Sequence, residues 1–137
     1  MESAAILQIV DCNGETKMPD YPCAEFYYKH WCNTEKKYKK KFGYGKNHLL
    51  GRVQLVYKKD YGVNEPIDDK QVVVNLYAKE TAKDDVDFEA LKQCLEQVDG
   101  LFGDQKITII RPEAKIYRRM QLLAKDTFKN CRFAFVN

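Results

Sequence analysis

The run Gln71–Tyr77 (QVVVNLY) limits the fold more than any other stretch of the chain. Three consecutive valines and a leucine within seven positions leave no clear polar face, and β-branched side chains favour extended backbone. A strand apolar on both sides is buried on both sides. That is the situation of a central strand in an α/β sheet, not of a half-solvated antiparallel one. Other segments fit the same sheet. Ala4–Val10 (AAILQIV) reads as a second buried strand, closed by the turn signal Asp11-Cys12-Asn13-Gly14. Arg52–Tyr57 (RVQLVY), Lys106–Ile110 (KITII) and Arg132–Val136 (RFAFV) read as three more strands.

Helices fill the gaps. Pro22 suits a first helical turn, where its missing N–H costs nothing. From there Cys23, Phe26, Tyr27, His30, Trp31, Thr34 and Tyr38 recur at helical spacing until Gly43 and Gly45. Asp87 caps a second helix with the stripe Phe88, Leu91, Cys94 or Leu95, and Val98, which Asp99-Gly100 is expected to stop. Pro112–Lys129 forms the third. Lys58–Lys70, with Tyr61-Gly62 and Glu65-Pro66, is a long loop. The order β-α-β-β-α-β-α-β predicts one domain over residues 1–137. Its architecture is three-layer α/β/α, with a mixed, mostly parallel sheet of about five strands.

At 137 residues such a domain buries a core without disulfides. The five cysteines are an odd number, and Met1–Val10 lacks the basic start of a secretion signal, so reduced thiols are expected. No apolar run reaches the roughly 20 residues that span a bilayer. An intracellular location, cytoplasmic or nuclear, and no membrane partner are the resulting expectations. Cys23 and Cys32 point to opposite sides of their predicted helix and no second Cys/His pair supports them, so no metal site is expected. The net charge of +3 does not demand a nucleic-acid partner, yet Glu35–Lys41 packs five lysines into seven positions beside several aromatic residues. Lys37, Lys40 and Tyr44 there form a candidate interaction surface for a protein or a nucleic acid.

The segments YKKKFGYG…LLGRVQLV and VVVNLYAKE…DFEAL resemble the middle of a macro domain, the ADP-ribose-recognising α/β module. The resemblance is to the branch that includes ADP-ribosyl-glutamate glycohydrolase and ADP-ribose-1″-phosphate phosphatase. It covers Tyr38 to Ile110 and the element order of the remainder. It implies ADP-ribose, or an ADP-ribosylated protein, as the ligand, with no cofactor. Lys79 falls where the glycohydrolase has its catalytic lysine, and Glu113 is the acid nearest the family's catalytic aspartate. Asp11, Asn13 and Gly14 fall in the segment that meets the distal ribose, and Arg111 suits a phosphate.

Three departures from the family pattern reduce the expected activity. The chain opens at what resembles the second family strand, so the adenine-binding aspartate has no counterpart. Gly14 stands alone where the family has a glycine-rich loop, and Arg111-Pro112-Glu113 replaces another. Lys79 itself, followed by Glu80, Lys83, Asp84 and Asp85, reads as an exposed loop lysine. The expectation is a diverged, non-catalytic recognition module for an ADP-ribose-like nucleotide or a protein or nucleic-acid partner. The alternative is an ADP-ribosyl hydrolase working through Lys79.

Overall fold

The computed structural model describes residues 3–12, 50–57 and 72–136. Among them five strands form one sheet: β1 (Ala5–Asp11), β2 (Val53–Tyr57), β3 (Val72–Lys79), β4 (Lys106–Ile110) and β5 (Arg132–Val136). Their spatial order is β2-β3-β1-β4-β5. All neighbours are parallel except β2, which runs antiparallel to β3. Two helices, α1 (Phe88–Phe102) and α2 (Ala114–Thr127), carry the chain from β3 to β4 and from β4 to β5. The mixed, mostly parallel α/β sheet expected from the sequence is therefore present. The helix expected after Pro22 and the loop Lys58–Lys70 lie outside the described residues.

Strand alternation divides the core. Ala5, Leu7, Val72, Val74, Leu76, Ala78, Ile107 and Ile109 face α1 and α2 and pack with Leu91, Leu95, Val98, Met120 and Ala124. Ile6, Val10, Val73 and Tyr77 alternate with them and are equally buried. Every residue of β3 is buried, as its two-sided apolar sequence requires. One polar row crosses this second face. Gln8 Nε2 donates to Asn75 Oδ1 at 2.6 Å, and Asn75 Nδ2 donates to Gln54 Oε1 at 2.9 Å. The three amides are register partners on β1, β3 and β2. Asn75 thereby joins three strands through one side chain. A slip of one residue would break both bonds, so the row fixes the pairing as well as stabilising it.

Helix ends follow local chemistry, with one correction. Asp87 caps α1 through Oδ1, which accepts from Ala90 N at 3.0 Å. The helix does not stop at Asp99-Gly100. It continues to Phe102 and closes on Gly103, whose φ of 58° is a conformation that glycine adopts without strain. Asp99 has a different task. Its carboxylate accepts from the backbone N–H groups of Lys129, Asn130 and Cys131 at 3.2, 3.0 and 2.9 Å, and from Asn130 Nδ2 at 3.1 Å. It ties α1 to the turn between α2 and β5. Burial would raise its pKa, but the backbone N–H groups that surround the carboxylate outweigh burial and hold it below the ordinary value.

Gly51, just before β2, has φ of 85° and lies against α1, where an added Cβ would collide with the Gln93 side chain. Its carbonyl accepts from Gln97 Nε2 at 2.7 Å, and its N–H donates to Tyr77 O at 2.8 Å. Glycine here serves the backbone conformation, since the Gln93 carboxamide is the far end of a flexible side chain that can turn away.

Candidate functional site

In open α/β sheets, ligands bind beyond the carboxyl ends of the strands, where neighbouring strands lead to opposite sides. β1 and β4 are such neighbours. The next described strands after β1 lie on one side of it, while β5, next after β4, lies on the other. Asp11 ends β1, Lys79 ends β3, and Arg111 follows β4 directly. The three side chains come from separate strands and are gathered at one end of the sheet by parallel pairing alone.

Lys79 departs from its expectation. It is not on an exposed loop but is the last residue of β3, and only 8% of its surface is exposed. The cause is a bulge. Val10 pairs with Tyr77, but Asp11 pairs with Lys79, so Ala78 is an extra residue on β3. Cys12 N then donates to Lys79 O at 2.9 Å, which carries the pairing one step beyond the apolar run. The bulge sets Lys79 opposite Asp11, itself fully buried. Lys79 Nζ donates to Ala82 O at 2.8 Å, so the segment after β3 folds back over the amine. Asp84 Oδ2 holds that segment by accepting from Thr81 N and Thr81 Oγ1 at 3.1 and 3.0 Å.

The other rim is more open. Arg111 is exposed, and its guanidinium lies 4.3 Å from the centre of the Tyr117 ring, a cation–π contact. Tyr117 meets Phe135 edge-on at 5.2 Å, which anchors the stack to β5. Glu113 precedes α2, is exposed and makes no capping hydrogen bond. Its carboxylate lies 3.8 Å from Lys115 Nζ, which also lies 3.3 Å from Asp85 Oδ1 in the segment before α1. Lys115 thus spans the two segments that rim the strand ends.

Asn13, Gly14, Lys37, Lys40 and Tyr44 lie outside the described residues, as do Cys23 and Cys32. Two of the described thiols are poor nucleophiles. Burial pushes Cys94 up to about 12, and burial with the nearby Asp99 charge pushes Cys131 up to about 11. A separate cleft of about 520 Å³ lies between α1 and α2, lined by Lys92, Glu96, Asp126 and Lys129 among others. It is lined by neither Asp11, Lys79 nor Arg111, and its charges of both signs do not converge on one ligand type.

The macrodomain of Thermus aquaticus DarG superposes with a TM-score of 0.61, covering 98% of this chain and 89% of that one at 10% identity. The fold is that of a macrodomain. The five-stranded mixed sheet with helices α1 and α2 fits that fold. No protein-family model matches the chain, and no curated protein does. No helix among the described residues is long and apolar enough to cross a membrane.

The Ala78 bulge and the Tyr117 support under Arg111 escaped the sequence reading. Tyr117 lies six residues after Arg111, a spacing with no helical meaning because Arg111 precedes α2. The bulge depends on cross-strand pairing that no local pattern encodes.

Proposed function

We propose that this macrodomain-like chain is a non-catalytic recognition module, and that an ADP-ribose-like nucleotide occupies the crevice at the strand ends. One observation carries the reading. A buried lysine ends β3 and a buried aspartate ends β1, held side by side by a bulge. Strand ends are otherwise the easiest places for charged side chains to reach water. Burying two there costs several kcal/mol that partners such as Ala82 O for Lys79 must offset, so the fold keeps charge at this end of the sheet at an expense. Arg111, exposed and stiffened by its stack on Tyr117, supplies the direct cation for a diphosphate, whereas the buried Lys79 and Asp11 act on it through their charge beneath the strand ends.

Recognition is preferred over turnover because of Glu113. As a proton shuttle it would have to work beside Lys79, yet it is exposed and stands by Lys115. The alternative, hydrolysis of an ADP-ribosylated protein through Lys79, gains support from the burial of that lysine, since a nucleophilic amine needs a sheltered site.

Calorimetric titration with ADP-ribose, and with AMP as control, tests the reading. The expected result is saturable binding at least about tenfold tighter for ADP-ribose, a difference of about 1.4 kcal/mol. Equal affinity for AMP would remove the role given to the diphosphate and distal ribose, and absence of heat at millimolar ADP-ribose would end the reading. ADP-ribose released from a modified protein by the wild type and not by Lys79→Ala would establish the hydrolase instead.

A further inference from the structure

The two helices among the described residues carry opposite charge. α1 has Glu89, Glu96 and Asp99 against Lys92, whereas α2 has Lys115, Arg118, Arg119 and Lys125 against Asp126. Lys115, Arg118, Leu122 and Lys125 follow one another at steps of three and four, so they form one ridge along α2. All four are exposed, and the ridge lies opposite the buried stripe Met120, Ala124 and Thr127.

This ridge differs from an ordinary solvated helix face. On α1, Glu89, Lys92 and Glu96 alternate in sign at the same spacing, which favours a helix in water. No acid alternates among the four ridge positions, and the one acid of α2, Asp126, flanks the ridge at its C-terminal end, four residues after Leu122. Lys115 and Arg118, three apart, repel each other, and Lys115 also sits in the first turn, where the helix dipole disfavours a cation. Lys115 is compensated by Asp85 and Glu113. Arg118 and Lys125 have no ion-pair partner among the described residues. Between them, one turn from each, Leu122 is 56% exposed.

We infer that the α2 ridge is a docking surface for an acidic amphipathic helical segment of another protein. Two carboxylates on the segment pair with Arg118 and Lys125, and an apolar residue between them covers Leu122. The anionic partner relieves the like-charge repulsion along α2, and Leu122 sets its position. A bare phosphate chain matches the cations but gains nothing from Leu122, so a protein segment fits better than a nucleic acid. The surface does not rest on what the strand-end crevice binds.

The test uses isotope-labelled protein and a synthetic 18-residue peptide built as a helix, with one leucine flanked by glutamates four residues before and three after it. A scrambled peptide of the same composition and a single-stranded oligothymidine are the comparators. Amide shifts confined to residues 114–129 and saturating with the helical peptide are expected. The double variant R118E/K125E is expected to weaken binding at least tenfold, and Leu122→Ala about threefold. Both are to have an unchanged melting temperature, because the side chains are exposed. Absence of shifts at millimolar peptide overturns the inference. Equal binding of the scrambled peptide, tighter binding of the oligothymidine, or indifference to Leu122→Ala also overturns it, and assigns the ridge to nonspecific polyanion attraction.

Discussion

Asp99→Ala is expected to lower the unfolding free energy by about 3 kcal/mol, the range for a buried charged acceptor removed from several donors. Three backbone N–H groups and one amide lose their acceptor together. The turn they order is the only covalent path from α2 into β5, so the loss loosens the β5 edge as well as the turn. A domain of this size has about 5–15 kcal/mol in total, so the melting temperature should fall by about 10 °C. Asp99→Asn keeps an acceptor oxygen but not the charge and should fall between the two.

The pH dependence has a definite sign. The folded-state pKa of Asp99 lies below its ordinary value of 3.8. Its contribution is therefore fully present above that value and is lost as pH falls through the lower, folded-state pKa. Denaturant unfolding of wild type and Asp99→Asn, compared at neutral pH and near pH 3, checks this. The gap between them should narrow in acid. A gap independent of pH would mean that hydrogen-bond geometry alone, without the charge, ties the turn.

Lys79→Met is the second large effect, on binding and not on folding. On the proposed reading, exchanging the buried amine for an apolar side chain of similar length removes a positive charge beneath the nucleotide. It should weaken ADP-ribose binding by about 2 kcal/mol, or about thirtyfold. Folding loses only the hydrogen bond to Ala82 O, about 1 kcal/mol. Calorimetry for affinity and thermal melting for stability separate the two. Lys79→Arg restores the charge but puts a wider guanidinium where the amine is buried against Ala82 O, so its rescue should be incomplete. Full affinity in Lys79→Met would remove Lys79 from the site.

The parts of the fold that were readable from sequence are those set by neighbours along the chain. Val72–Val74 and Leu76 mark a central strand because their pattern admits no wet face, and Leu91, Leu95 and Val98 mark the inner stripe of α1 because of their spacing. What escaped depends on distant partners. Asp99 resembles a helix stop until the turn at 129–131, some thirty residues on, supplies its donors. Asn75 finds its partners 67 and 21 residues away, on β1 and β2. Lys79, followed in sequence by a mostly polar stretch, is drawn into the sheet by Cys12 N and by a bulge that exists only once β1 and β3 pair. The same limit applies to the site: Asp11, Lys79 and Arg111 are picked out one by one in the sequence, but parallel pairing is what brings them to one end of the sheet.

The most direct measurement of the central claim is an amide-shift map of the isotope-labelled protein during titration with ADP-ribose. Occupation of the strand-end crevice predicts saturable shifts at Cys12, Lys79, Glu80 and Arg111, with the α2 ridge from Arg118 to Lys125 unmoved. Shifts absent from those four positions, or centred on α2, would contradict it.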